Sequence, residues 1–320
     1  MGKHAVLLLA HGTPETVEQI PEYLRNVVSG RPVPPALVEE VQHRYALIGR
    51  SPLTEITMEQ ARLVEAELAA AGLTVKVYVG MRNWRPYIPD VVKQMRGDGV
   101  EEAAVVCLAP QNSRTSVGLY RRAVEAEAGG LRIDFTESWA DNPLLAEAFA
   151  ERLRAAEVRL TAETGAAVPV LFTAHSVPLR TVAPQPEGEG AGPRLWPGQG
   201  ADPYEQDARK TAELVAARVP EVPRWWFAFQ SQGASGGAWL GPTVEETLEA
   251  ITASGIKTLL LQPIGFLCDH VEILYDVDHG FREYACRLGM RLERPESLNA
   301  SLTLAKAVGE LAKAGLGRLS

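Results

Sequence analysis

Residues 5–14 read AVLLLAHGTP, and this stretch decides the class of fold. Its first six residues are apolar without alternation, which is typical of a strand buried on both faces of a parallel sheet. Similar runs follow at 74–79 (TVKVYV), 103–109 (AAVVCLA), 168–174 (VPVLFTA), 225–229 (WWFAF) and 257–262 (KTLLLQ). Helical patterns separate these runs, and this alternation predicts βαβ units and a doubly wound α/β fold.

The predicted helices lie near 15–29, 35–48, 54–71, 86–97, 115–128, 143–160, 204–218, 242–254, 269–288 and 299–314. The alternation of strands and helices runs twice, with a break near 140–165. With 320 residues, two domains are the default, and we expect lobes at 1–150 and 151–320. We expect that the C-terminal helix can pack back on the first lobe. Residues 183–203 are dense in Pro and Gly and are expected to form a surface loop.

Composition excludes several classes of function. The net charge of −8 argues against a nucleic-acid or anionic-membrane partner. Three cysteines, an odd number with no CxxC pair, argue against a disulfide framework and favour a cytoplasmic location. No apolar stretch approaches 18 residues, so no membrane insertion is expected.

Polar residues follow five of the six predicted strands. His11 comes directly after the first strand and His175 directly after the fourth, while Gln111 and Gln230 stand near the ends of two others. In doubly wound sheets, ligands bind beyond the carboxyl ends of the strands. The sequence therefore predicts a site at these strand ends, although polar loops alone would also explain any single case.

A stripe of ligand-capable residues follows the sixth strand. On an α-helix, Asp269, Glu272, Asp276 and His279 would share one face, because they are spaced three, four and three residues apart. Oxygen and imidazole ligands suit ferrous iron, magnesium or manganese. A solvated helix face is the alternative. No GxGxxG, GxSxG or HExxH sequence competes with the metal interpretation.

The chain resembles the ferrochelatases nearly end to end. The matching pieces include LLLAHGTPE at 7–15, RYALIGRSPL at 44–53, VGMRNWRPYI at 79–88, LAPQNSRTSVGLYRRA at 108–123, FTAHSVP at 172–178 and PIGFLCDHVEILYDVD at 263–278. The resemblance implies two Rossmann-like, chelatase-type lobes, each a four-stranded parallel sheet flanked by helices, with a porphyrin cleft between them.

The resemblance also implies the chemistry. His175 and Glu272 would face each other in the cleft and handle metal delivery and removal of the pyrrole protons, with Asp276 as a further metal-binding residue. Ferrous iron is then a substrate, and no cofactor is required. The reaction is of the lyase class and belongs to haem biosynthesis.

Within the family, the chain looks closer to the bacterial branch that uses coproporphyrin III and yields coproheme. Tyr120 matches a propionate contact of that branch, and Arg44, Tyr45 and Ser51 match its other propionate-binding positions. Propionates call for arginine and hydroxyl donors. A transient contact with the next enzyme of the haem pathway is a further expectation.

Two departures from that branch affect the site. His11 stands where the branch often has an axial tyrosine, and an imidazole can also ligate iron. An outer divalent metal site would lack one carboxylate, because Gly280 stands eight residues after Glu272, although Asp276 is kept.

Three alternatives remain open from the sequence. The first is a ferrochelatase that uses protoporphyrin IX, and the second is a cobalt or iron chelatase acting on sirohydrochlorin. The third is an inactive haem-binding protein that kept the cleft. The presence of both His175 and Glu272 argues against the third.

Overall fold

A computed structural model of the chain describes residues 4–183, 201–232 and 237–319. The expected loop at 183–203 therefore lies almost wholly outside the described residues.

The first lobe is built on a four-stranded sheet in which all strands are parallel and the order is β2-β1-β3-β4. Its elements in chain order are β1 (His4–Ala10), α1 (Ile20–Val27), α2 (Pro35–Ile48), α3 (Leu53–Ala70), β2 (Lys76–Met81), α4 (Ile88–Gly97), β3 (Glu102–Cys107), α5 (Val117–Glu125) and β4 (Arg132–Thr136). Strands β1 and β3 are fully buried or nearly so, as the continuous apolar runs predicted.

The second lobe repeats this arrangement with the order β6-β5-β7-β8, again all parallel. Its elements are α6 (Pro143–Thr164), β5 (Val170–His175), α7 (Leu179–Val182), α8 (Tyr204–Ala216), β6 (Trp225–Gln230), α9 (Val244–Ala253), β7 (Thr258–Pro263), a π-helix (Glu272–Phe281), α10 (Arg282–Arg287), β8 (Arg291–Glu293) and α11 (Leu302–Leu319). The prediction of two four-stranded, parallel, chelatase-type lobes is confirmed.

Apolar runs alone did not find two of the strands. Strand β4 carries Arg132 and Asp134 and is only partly buried, and β8 is three residues long. Both lie at sheet edges, where one side of the strand has no neighbour and polar residues are tolerated. The continuous apolar run that marks a buried strand is therefore missing from both edge strands.

The two lobes share a hydrophobic core. Leu8 of β1 and Phe172 of β5 belong to one buried cluster, together with residues of α6 and α11. Helix α11 lies against α3 and β3 of the first lobe, although it comes last in the chain. Gly315 permits this approach, because a Cβ there would come within 2.9 Å of Ala104 Cβ. The two lobes are thus joined by one continuous core.

Among the described helices, none combines the length and the apolar character needed to cross a lipid bilayer.

Candidate functional site

A cavity of about 290 Å³ lies between the lobes, where β1, β3 and β5 end. Four of the residues predicted from the sequence line it: His11 and Tyr120 from the first lobe, and His175 and Glu272 from the second. The strand-end rule placed the two histidines in this cavity from sequence positions 164 residues apart.

His175 and Glu272 face each other on the wall of the second lobe. His175 Nε2 lies 3.6 Å from Glu272 Oε1, and Nδ1 of the same ring bonds to the Ser176 carbonyl. A second imidazole approaches the other carboxylate oxygen, with His270 Nε2 3.7 Å from Glu272 Oε2. The His270 ring is held by Phe266, whose centroid is 4.4 Å away, and by the Cys268 carbonyl, 3.1 Å from Nδ1. Glu272 is therefore bracketed by two histidines.

Electrostatics couple this pair. Burial by itself lowers the pKa of His175, but the charge and hydrogen bond of Glu272 outweigh it and raise that pKa above its ordinary value. Burial likewise raises the pKa of Glu272 by itself, but His175 and His270 hold it well below the usual range. Both shifts favour the pairing of an imidazolium with a carboxylate.

The predicted acidic stripe is not one surface in the structure. Asp269 accepts hydrogen bonds from Ser297 and Asn299, and Asp276 is bound by Arg44 at 3.1 Å and by Ser231 at 2.5 Å. His279 is exposed. Asp269 lies before the helix begins, and the i→i+5 bonding of the π-helix widens each turn, so Glu272, Asp276 and His279 do not return to the same face.

Within the described parts of the chain, no group of three or more His, Cys, Asp or Glu side chains is arranged to hold a metal ion. Asp276 does not line the cavity, and its role as a metal ligand stays a prediction.

His11 sits on the opposite wall, in the first lobe. Its Nε2 lies 2.9 Å from the Tyr23 hydroxyl, and the Asn83 side-chain nitrogen lies 3.2 Å from Nδ1. Burial lowers the pKa of His11 to about 4, so the imidazole is neutral. Gly12 makes the arrangement possible: its φ is +79°, and a Cβ there would come within 2.9 Å of Met81 Cβ.

The predicted propionate-binding residues divide into two groups. Tyr120 lines the cavity, whereas Arg44, Tyr45 and Ser51 do not. Tyr45 is buried beside Tyr23, and the Tyr45 and Ser51 hydroxyls have no hydrogen-bond partner among the residues that the structure describes. Arg44 instead bridges the lobes, pairing with Asp276 and stacking on the Tyr275 ring at 5.0 Å.

Sequence reasoning missed His270, Arg82 and Tyr23. His270 stands two residues before Glu272, which on an α-helix would place it away from the predicted stripe. Arg82 follows β2, and the strand-end rule would have found it, but the second predicted strand stopped at residue 79 rather than 81. Tyr23 lies inside the amphipathic helix α1 and carries no signal that separates it from a core residue.

Comparison with known proteins gives one consistent result. The family model described as Ferrochelatase matches residues 3–316. The chain is 60% identical over 317 residues to a protein of Acidobacterium capsulatum named ferrochelatase, covering 98% of this chain and 95% of that one. It is 35% identical to a protein of Mycolicibacterium vanbaalenii named coproporphyrin III ferrochelatase, covering 97% and 89%.

Among solved structures, a sirohydrochlorin chelatase of Bacillus subtilis subspecies spizizenii matches with a TM-score of 0.57. The sequence identity is 13%, and the match covers 99% of this chain and 98% of that one. A likeness at that identity shows the fold alone.

Proposed function

The chain belongs to the ferrochelatase family, and from that premise we propose that its porphyrin substrate is coproporphyrin III and its product coproheme. Insertion of a metal into a porphyrin is a lyase-type reaction, and membership of the family gives the chain that activity. The proposal concerns which porphyrin is used and which residues act.

The position of Tyr120 is the main support for the proposed substrate. This residue lines the cavity, and the resemblance assigns it to a propionate contact. Several matching relatives are named coproporphyrin III ferrochelatases, at 32–35% identity. The 60% identical relative is named ferrochelatase without a porphyrin, so names alone leave the substrate open.

The catalytic roles follow from the pair on the second lobe. Insertion of Fe²⁺ releases two protons from the pyrrole nitrogens, so the site needs a proton acceptor close to the ring and a path away from it. Glu272 is ionised and lies in the cavity, so we assign it contact with the incoming cation and the first proton. An arriving Fe²⁺ also disfavours the imidazolium form of His175. Once that ring has released its proton to solvent, the neutral imidazole can accept the second pyrrole proton.

His270 completes this scheme. Its Nε2 is 3.7 Å from the Glu272 oxygen that His175 does not approach, so a proton taken up by the carboxylate has a second imidazole beside it. We therefore assign His270 the transfer of protons away from Glu272.

The substrate assignment is tested by steady-state insertion of Fe²⁺ into coproporphyrin III and into protoporphyrin IX. We expect the higher kcat/KM with coproporphyrin III. A clear preference for protoporphyrin IX would overturn the substrate assignment and leave the ferrochelatase activity in place.

His11 is proposed as the axial ligand of the product iron. It is neutral, lines the cavity and lies on the wall opposite Glu272, so it meets the other face of a bound macrocycle. Ligation through Nε2 requires the Tyr23 hydroxyl to give up its hydrogen bond. Titration of iron coproporphyrin into wild type and His11→Ala should give a histidine-ligated absorption spectrum only in the wild type, and identical spectra would eliminate His11 as a ligand.

A further inference from the structure

Arg82 is a cation in the cavity, and the part of the chain that the structure describes gives it no anionic partner. Its side chain lines the cavity, and among residues 4–183, 201–232 and 237–319 no group forms a hydrogen bond or ion pair with its guanidinium. Arg294, which like Arg82 is half-buried, shows the usual arrangement, since it pairs with Asp278 at 2.8 Å and with Asp269 at 3.3 Å. Taking a guanidinium out of water without a counter-charge is costly.

The groups around Arg82 do not neutralise it. The largest electrostatic influences come from Tyr120, Tyr23 and Cys107, and burial lowers the pKa of Arg82 itself. Burial raises the pKa of both tyrosines well above the ordinary value and that of the Cys107 thiol to about 12, so all three are neutral. The first-lobe wall therefore presents a net positive charge.

Two hydroxyl-bearing residues of the same cavity also have no side-chain hydrogen bond within the described residues. The Thr13 side chain is 2% exposed and lines the cavity, and its Oγ1 has no hydrogen-bond partner within the described residues. Tyr120 lines the same cavity, and no hydrogen bond joins its hydroxyl to any described residue. A guanidinium fork with two hydroxyl donors matches the acceptor capacity of one carboxylate.

Backbone contacts fix Arg82 in this position. Its backbone N–H donates to the Ala10 carbonyl at 3.0 Å, and the N–H of Asn83 donates to the His11 carbonyl at 2.9 Å. The loop after β2 is thus pinned to the end of β1. The arginine that sequence resemblance selected, Arg44, is occupied by Glu40 and Asp276 and stands outside the cavity lining.

We propose that Arg82, with Tyr120 and Thr13, forms a buried subsite that binds one propionate carboxylate of the porphyrin and helps determine substrate choice. The inference rests on the proposed function, because the porphyrin supplies the carboxylate. Arg82 then contributes to binding in the ground state and the transition state alike.

The first test measures the affinity for metal-free coproporphyrin III by quenching of tryptophan fluorescence. Arg82→Gln should bind about 10- to 100-fold more weakly, the range for losing a hydrogen bond to a charged group. Arg85→Gln is the matched control, since Arg85 is exposed on the same loop and pairs with Glu22 at 2.9 Å. It should bind as the wild type does, and equal affinities for wild type and Arg82→Gln would overturn the proposal.

The second test separates a carboxylate contact from a structural role. With coproporphyrin III tetramethyl ester, the wild type should lose affinity and Arg82→Gln should lose much less further affinity, because the contact is already absent. Fully additive losses would contradict the subsite. Thermal unfolding of Arg82→Gln should show a Tm equal to or above that of the wild type, since an unpaired cation is removed, and a lower Tm would indicate a structural role instead.

Failure of the Arg82 subsite can be distinguished from failure of the coproporphyrin III assignment. If the wild type prefers protoporphyrin IX in turnover, coproporphyrin specificity fails, yet the same binding measurements with that dicarboxylate still decide whether Arg82 holds a carboxylate. Arg82→Lys keeps the charge without the fork and should recover part of the affinity. No recovery together with normal folding would contradict a charge contact.

Discussion

His11 and His175 occupy equivalent places in the two lobes and have opposite electrostatics. Each stands at the end of a central strand, β1 or β5, and each lines the cavity. The pKa of His11 is lowered to about 4 by burial, whereas that of His175 is raised because Glu272 outweighs the effect of burial. The position in the fold brings an imidazole to the site, and the neighbour supplied by another element decides what that imidazole can do.

The two walls of the cavity extend the same contrast. The first-lobe wall holds neutral hydroxyls, a neutral imidazole and the Arg82 cation, and it suits the carboxylates of a macrocycle. The second-lobe wall holds a carboxylate between two imidazoles and suits a metal cation and protons. We therefore propose that the first lobe mainly binds the porphyrin and the second handles the metal and the protons.

The largest expected effect comes from replacing His175 with alanine. His175→Ala should fold and bind porphyrin but lose iron insertion, because one of the two bases at the pyrrole nitrogens is gone. His11→Ala, its matched control, should keep most of the insertion activity. Stopped-flow or steady-state insertion assays check both variants. Near wild-type turnover in His175→Ala would remove His175 from the mechanism.

The next effect distinguishes two carboxylates of the π-helix. Glu272→Gln should reduce kcat by about 10²–10⁴, the range for a lost acid–base group. Asp276→Asn should cost less, because Asp276 contacts Arg44 and Ser231 outside the cavity lining. Measured kcat values that fall equally and slightly in both variants would favour a solvated helix face over a catalytic one.

A third experiment changes the charge next to each histidine and leaves the histidine itself in place. Glu272→Gln should lower the pKa of His175 by about one unit or more, because the carboxylate that raises it is lost and burial remains. Asn83→Asp places a carboxylate about 3 Å from the His11 ring and should raise the pKa of His11 by about 1–3 units. NMR titration of the imidazole signals measures both shifts. An unchanged His175 pKa would mean that Glu272 does not control it.

The smallest expected effect concerns the first-lobe wall alone. Tyr120→Phe should raise KM for coproporphyrin III by about 3- to 10-fold, the value of one hydrogen bond, with less change in kcat. A propionate contact is made in ground and transition states alike, so binding is affected more than the chemical step. A fall in kcat at constant KM would move Tyr120 from binding to catalysis.

The sequence by itself determined the α/β class, the central strands and the two histidines at their ends. These features are local: a continuous apolar run marks a buried parallel strand, and the next polar residue must then stand at the sheet's carboxyl edge. The motifs at 172–178 and 263–278 indicated the family, which the comparisons confirmed.

Only the tertiary structure decided which side chains meet. The π-helix divided the predicted acidic stripe, and Arg44 was drawn to Asp276 on the other lobe, because neither helix type nor a contact between residues 232 positions apart is encoded in a short pattern. Arg82 and His270 reached the cavity through the pairing of β2 with β1 and through the turn before the π-helix. Burial and neighbouring charge then set the ionisation of each group, and both are properties of the packed chain.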